Sequence, residues 1–168
     1  MTSFLEVAIT AAKAAATDIM QHYRGNFEVE IKSDQTPVTV ADRSAEEIIR
    51  RTLLNAFPDH GFFGEESGKA QTDAEYLWLV DPIDGTKSFV SGYGMFSTQI
   101  ALMHRGELVL GVSSAPTAGE LAWATRGAGA SLDGSRLRVS DVSTLSGASV
   151  STGNLKTGIA VLFSQFFY

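Results

Sequence analysis

The chain has 168 residues, of which 44% are hydrophobic and 19% charged, a balance typical of a folded globular domain rather than of a disordered segment. It carries 13 Lys and Arg against 19 Asp and Glu, a net charge of −6 that disfavours nucleic-acid binding. The absence of cysteine excludes disulfides, cysteine nucleophiles and thiolate metal sites. An acidic protein that handles an anionic ligand needs local positive charge, which bound cations can supply.

The first predicted element is an amphipathic helix over Ser3 to His22, where Ser3 and Glu6 fit a capping box. Its inward stripe is predicted to contain Leu5, Ala8, Ala12, Ala15 and Ile19. Glu6 and Lys13 interrupt the apolar residues, so we do not expect a secretory leader. No apolar run approaches the length that spans a membrane. We therefore expect a cytoplasmic protein without a membrane partner.

A short strand over Phe27 to Ile31 and a polar loop over Lys32 to Pro37 are predicted next. A second helix is expected from about Val40 to Phe57, ended by Pro58-Asp59-His60-Gly61. Its inward residues are predicted to be Ala45, Ile48, Ile49, Leu53 and Phe57.

The rest of the chain has mainly the pattern of strands. Apolar or alternating segments occur at residues 62–63, 76–80, 97–104, 107–114, 120–125 and 130–132. Arg105-Gly106 is predicted to form a tight hairpin, and a polar loop is predicted to separate the first two segments. Two helices followed by a mostly antiparallel meander predict an α+β layered fold.

Two aspartates follow a predicted strand directly, in the segment Trp78-Leu79-Val80-Asp81-Pro82-Ile83-Asp84-Gly85-Thr86. Because Pro82 has no N–H, we expect strand pairing to end there and a turn to bring both carboxylates to one side. Gly85 allows close backbone approach, and a helix that begins near Thr86 would present N–H groups to an anion. Oxygen ligands of this kind suit Mg²⁺.

Two further segments carry candidate site residues. Gly64-Glu65-Glu66-Ser67-Gly68 places acids after an apolar pair, and Thr39-Val40-Ala41-Asp42 places a hydroxyl and an acid at a helix start. Taken alone, each acidic segment is more often a solvated turn, and Asp42 is more often a helix-terminal acid favoured by the dipole. The combination in this order favours a functional site.

The motifs together resemble the inositol monophosphatase family. Gly64-Glu65-Glu66-Ser67, the segment from Trp78 through Thr86 to Phe89, and the earlier Lys32 to Asp42 carry the resemblance, together with Gly119-Glu120-Leu121 and residues 127–130. The resemblance implies a layered α/β sandwich like the first half of the inositol monophosphatase and fructose-1,6-bisphosphatase fold. It also implies a Mg²⁺-dependent phosphomonoesterase in which water attacks phosphate directly.

The resemblance implies residue roles as well. Glu65, Asp81 and Asp84 would be the Mg²⁺ ligands, joined by the backbone carbonyl of Ile83. The residues that orient the attacking water would be Glu65, Thr86 and Asp42. The residues that bind the substrate would be Gly85, Thr86 and Asp84, with the phosphate on the N–H groups of Gly85 and Thr86.

The substrate stays open at this point. Lys87 to Gly92 is more similar to the histidinol-phosphate phosphatases of the family, so histidinol phosphate ranks first, inositol or a similar polyol phosphate second, and a phosphoadenosine nucleotide third. Family members are longer, and their second half supplies another aspartate; neither Asp133 nor Asp141 lies in a matching context. A catalytically inactive metal-binding or interaction module is the alternative.

The resemblance also sets the expected domain organisation. Residues 1–157 are predicted to form an N-terminal metal-binding domain, with the family's C-terminal domain absent. Residues 158–168 form an uncharged apolar tail of uncertain origin. An apolar sheet without its covering layers would favour association, so a homodimer is expected.

Overall fold

The structure, a computed structural model, describes residues 3–26, 28–31 and 37–149. Residues 32–36 of the predicted loop, Phe27 of the first predicted strand, the end of the predicted domain at 157 and the apolar tail at 158–168 lie outside these residues. Pro37, which was predicted to end that loop, instead begins a strand. The chain divides into two compact units, residues 1–137 and 138–168. Within the second unit, the described residues include a turn of 3₁₀ helix at Leu145–Gly147.

Both predicted long helices are confirmed, and both begin at side-chain caps. Helix α1 spans Phe4–His22, and the Ser3 Oγ accepts from the Glu6 N–H at 3.1 Å. Helix α2 spans Val40–Ala56 and begins at Thr39 in a second capping box, in which Asp42 accepts from the Thr39 N–H. These caps satisfy N–H groups that the first turn of a helix leaves without partners. A short helix α3 spans Thr86–Val90.

Ten strands form two sheets among the described residues. Strands β1 (Val29–Ile31) and β2 (Pro37–Thr39) pair with each other. The larger sheet contains β3 (Gly61–Gly64), β4 (Gly68–Ala70), β5 (Tyr76–Asp84), β6 (Ser97–His104), β7 (Glu107–Ala115), β8 (Glu120–Thr125), β9 (Gly129–Leu132) and β10 (Ser135–Arg136). Its order is β10-β9-β8-β7-β6-β5-β3-β4, and every neighbouring pair is antiparallel except the parallel pair β3–β5. The predicted α+β fold with a mostly antiparallel meander is confirmed.

The hydrophobic core lies between the helices and one face of the large sheet. On β6 and β7, Ile100 lies opposite Val112, and Trp78 on β5 lies opposite the residue two positions after Ile100. All three belong to the buried cluster that includes Ala8 and Ile49 of the helices. Successive residues of a strand point to opposite faces, so the residues between them lie on the other face. Two of the inward residues predicted for α2, Ile48 and Phe57, are only half-buried.

Among the described residues, no helix is both long and apolar enough to cross a membrane.

Candidate metal and phosphate site

Strand β5 continues through Pro82 to Asp84, so the prediction that Pro82 ends strand pairing is wrong. Asp81 lies opposite Gln99 and Asp84 opposite Ser97, with a register shift between them. Proline lacks only the N–H; its carbonyl still accepts a hydrogen bond, here from the Thr98 hydroxyl at 2.9 Å. The strand therefore accommodates Pro82 with an irregularity and carries both aspartates at its end.

The turn after β5 forms at Gly85, as its position predicts. Gly85 has φ of 98°, a left-handed conformation that side chains disfavour, and it is the N-cap residue of α3. A Cβ at Gly85 would lie 2.8 Å from the Met95 carbonyl oxygen. Glycine at this position therefore allows the close approach that the sequence predicted, and α3 begins at Thr86.

Asp42 and Thr86 meet although 44 residues separate them. Asp42 is 1% exposed, and its Oδ2 accepts from the N–H and the hydroxyl of Thr39 at 2.8 and 2.6 Å. Its Oδ1 lies 3.2 Å from the Thr86 Oγ1, which also lies 3.0 Å from the Ile83 carbonyl oxygen. Asp42 is thus both a helix-terminal acid and a neighbour of the predicted site, and the structure brings Asp42, Ile83 and Thr86 together.

Glu65 follows β3 and lies beside the end of β5. Its N–H donates to the Val80 carbonyl at 3.1 Å, which extends the parallel β3–β5 pairing by one bond. Because both strands end on the same side, their carboxylates reach the same edge of the sheet. Glu65 hydrogen-bonds the Asp81 side chain.

Asp81 has the most perturbed ionisation of the site. Burial, the charge of Glu65 and a hydrogen bond with Glu65, and the charge of Asp84 raise the pKa of Asp81 to about 8, while a hydrogen bond from the Ile83 backbone acts in the opposite direction. Converging carboxylates repel one another, which disfavours the ionisation of at least one of them. In addition, the Asp81 Oδ1 is buried without a hydrogen-bond partner among the described residues.

These observations test whether the residues fit a divalent cation. No three Asp, Glu or His side chains among the described residues already stand in a ligand arrangement. The charges of both Glu65 and Asp84 nevertheless act on Asp81, so the three carboxylates lie around one region, and the buried Asp81 Oδ1 there has no hydrogen-bond partner within the described ranges. A cation between carboxylates that repel one another would remove that repulsion. An oxygen-only donor set of this kind fits Mg²⁺.

Glu46 is the site neighbour that the sequence analysis missed. This residue of α2 is 2% exposed, and its two carboxylate oxygens accept from the N–H groups of Glu66 and Ser67 at 2.8 and 2.6 Å. A signal existed, since Glu46 follows Asp42 by one helical turn and interrupts the apolar stripe of α2.

The site opens onto the face of the large sheet away from the helices. A cavity of about 870 Å³ on this face is lined by Glu65, Asp81 and Gln99 at one end. The remaining lining is largely apolar and includes Phe63, Leu79, Ala101, Gly111, Ala124 and Ala130. Strand register aligns these six residues in one row across β3, β5, β6, β7, β8 and β9.

Comparisons with known proteins agree with this architecture. The sequence model of the inositol monophosphatase family matches residues 1–158. A histidinol-phosphatase of Chlorobaculum parvum is 41% identical over 151 residues, covering 89% of this chain and 58% of the relative. An inositol-1-monophosphatase of Rhizobium meliloti is 39% identical over 155 residues, covering 92% of this chain and 58% of the relative.

The solved structures include a similar fold. The extragenic suppressor protein suhB from Bartonella henselae matches with a TM-score of 0.80 at 37% identity, covering 84% of this chain and 56% of that chain. The present chain therefore spans little more than half the length of the relatives it matches.

Proposed function

This chain belongs to the inositol monophosphatase family, and we propose that it is the metal-binding half of a Mg²⁺-dependent phosphomonoesterase. The observation that carries the proposal is the half-buried Asp81 carboxyl beside Glu65 and within the field of Asp84, whose buried Oδ1 has no hydrogen-bond partner in the part of the chain that the structure describes. Such a group is costly in a fold unless a cation compensates it. A cation there would also supply the positive charge that a chain of net charge −6 needs to accept a phosphate.

Each site residue has a proposed role. Glu65, Asp81, Asp84 and the Ile83 carbonyl would hold Mg²⁺, and the N–H groups of Gly85 and Thr86 would receive the phosphate, with Asp84 beside the substrate. When bound, the cation would neutralise phosphate charge and lower the pKa of a coordinated water.

The contact between Asp42 and Thr86 supports a role in orienting the attacking water, together with Glu65. The single hydroxyl proton of Thr86 can be donated to the Asp42 carboxylate 3.2 Å away or to the Ile83 carbonyl 3.0 Å away. Both neighbours are acceptors, so the lone pairs of the Thr86 oxygen remain available. A water near Thr86 would therefore donate a hydrogen bond to the Thr86 oxygen, and the lone pairs of the water oxygen would point away from Thr86. Water turned in this way is suited to in-line attack on a phosphate without a phosphoenzyme.

For the substrate we propose a small phosphorylated alcohol, with histidinol phosphate first and inositol phosphate second. The C. parvum relative is a histidinol-phosphatase and the R. meliloti relative an inositol-1-monophosphatase, at similar identities. The segment Lys87 to Gly92, which follows the site directly, favours the first.

We further propose that the metal-binding domain comprises residues 1–157 and that the chain forms a homodimer. The support for association is the largely apolar cavity lining on the sheet face.

The test is phosphate release by the purified 168-residue chain from histidinol phosphate and from inositol phosphate, with and without Mg²⁺, beside calorimetric titration of Mg²⁺. We expect Mg²⁺ binding and Mg²⁺-dependent release, both lost in Asp84→Asn, whose exposed position permits the change without loss of the fold. Binding without release would favour the inactive metal-binding module. Absence of both would overturn the proposal.

A further inference from the structure

Glu46 is a buried carboxylate that no ion pair among the described residues neutralises. Its hydrogen-bond partners among the described residues are two backbone N–H groups in the turn between β3 and β4, those of Glu66 and Ser67. Taking a carboxylate out of water costs free energy, and hydrogen bonds alone offset that cost incompletely. A group of this kind contributes little net stability, so its value lies in the geometry that it fixes.

The geometry in question is the placement of Glu65. The Glu65 N–H donates a hydrogen bond to β5, and the N–H groups of Glu66 and Ser67 donate to the Glu46 carboxylate. Three successive N–H groups are therefore fixed, and they determine where the Glu65 side chain leaves the backbone. Gly64 makes this possible, because a Cβ there would lie 2.4 Å from the Glu46 Cδ.

The same helix also holds the other half of the site. Asp42 and Glu46 are one turn apart on the buried face of α2, separated by about 6 Å along its axis. Asp42 contacts Thr86 in the segment after β5, whereas Glu46 holds the segment after β3. One rigid helical turn thus sets the spacing between the two backbone segments that carry the site carboxylates.

We propose that Glu46 is a positioning residue that fixes the turn bearing Glu65 and thereby maintains the affinity of the site for its divalent cation. This inference rests on the proposed metal function. Outer groups that orient a metal ligand typically contribute about 10–100-fold to metal affinity.

The test uses Glu46→Gln, with Glu47→Gln as the matched control on the exposed face of the same helix. Glutamine keeps the length of the side chain but presents an NH₂ group to one of the two N–H donors. We expect Glu46→Gln to bind Mg²⁺ at least about tenfold more weakly in calorimetric titration. We also expect faster amide hydrogen exchange at Glu66 and Ser67 without Mg²⁺, and no change of either quantity in Glu47→Gln.

Gly64→Ala tests the same contact by displacing the Glu46 carboxylate instead of removing its charge. We again expect weaker Mg²⁺ binding and faster amide exchange at Glu66 and Ser67. It keeps the inference testable where Glu46→Gln fails to fold. Wild-type affinity in the folded Glu46 variant would overturn the inference and leave the proposed function standing. Unchanged exchange at Glu66 and Ser67 would overturn it whatever the affinity. A wild-type chain that binds no Mg²⁺ would overturn the proposed function and the positioning role with it.

Discussion

The carboxyl of Asp81 lies beside Glu65 with a pKa of about 8, more than four units above the 3.8 of an unperturbed aspartate. Because the folded state holds this proton more tightly than the unfolded state does, the folded chain binds more protons between about pH 4 and 8. The contribution of Asp81 to stability therefore decreases as pH rises through this window. The decrease is complete above the folded-state pKa.

A pH series of thermal melts between pH 7 and 9 tests this directly on the metal-free chain. We expect the free energy of unfolding to fall with pH by up to about 1 kcal/mol per unit below pH 8, and by less where solvent screens the pair. The isosteric Asp81→Asn removes the titrating group and should flatten the profile and melt higher than wild type at pH 9. The range avoids His60, whose pKa burial lowers from 6.5.

Magnesium should offset the loss of stability that Asp81 causes as pH rises. A cation that binds only the folded state would add about 2.7 kcal/mol of stability at 100-fold excess over its dissociation constant. The melting temperature of wild type at pH 9 should rise by several degrees in millimolar Mg²⁺, and that of Asp81→Asn should not. An equal rise in both proteins would place the cation elsewhere.

The hydroxyl of Thr86 provides a separate residue-scale prediction. Thr86→Val removes the hydroxyl near Asp42 at constant shape, whereas Thr86→Ser retains it. If Thr86 orients water, phosphate release should fall at least about 100-fold in the valine variant and persist in the serine variant. Mg²⁺ affinity should change little in either. Retained release by Thr86→Val would remove Thr86 from the proposed catalytic group.

The sequence predicted some residues of this site and missed another. Asp42 and Thr86 were chosen from motifs far apart in the chain, and the structure joins them. Glu46 was missed although it interrupts the apolar stripe of α2, because that interruption does not show what the carboxylate contacts. Its partners are backbone N–H groups 20 and 21 residues away, which carry no sequence signal at all.

At the scale of elements, local chemistry determined what could be predicted. Helices α1 and α2 were placed to within a residue or two because their capping boxes are local in sequence. The hairpin at Arg105-Gly106 was placed because two strand-like segments flank these two residues. In the structure both residues have the positive φ that closes a tight turn. Strands β2, β4 and β10 were missed, since each is short and obtains its pairing from a neighbouring strand rather than from its own pattern.

Two glycines on the large sheet give a matched test of packing within elements. A Cβ at Gly61 on β3 would lie 2.2 Å from the Gln71 carbonyl oxygen, whereas a Cβ at Gly111 on β7 would meet nothing within 4 Å. We expect Gly61→Ala to destabilise the fold by about 1–3 kcal/mol, because backbone must move. Gly111→Ala should be neutral or stabilising by up to about 1 kcal/mol. Denaturant unfolding measures both, and similar effects would contradict the packing at Gly61.

At the scale of the molecule, the two faces of the large sheet differ. One face is closed by α1 and α2, with Trp78 and Leu102 fully buried. The other carries the apolar row that lines the cavity beside the site, in which Phe63 is 39% exposed. The relatives that this chain matches are about one and a half times as long. The described residues of this chain leave this second face partly open.

Such a face should make the 168-residue chain associate, because contiguous apolar patches above a few hundred Å² are rare on stable monomers. Sedimentation velocity over a range of concentrations should show a dimer that dissociates on dilution. Ala124→Asp introduces a charge at an exposed position in the apolar row and should shift the chain to monomer. Leu108→Asp is the control, since Leu108 is 56% exposed but does not line the cavity. Burying an unpaired carboxylate opposes association only if the carboxylate lies in the interface. If both variants associate equally, the interface does not lie on this face.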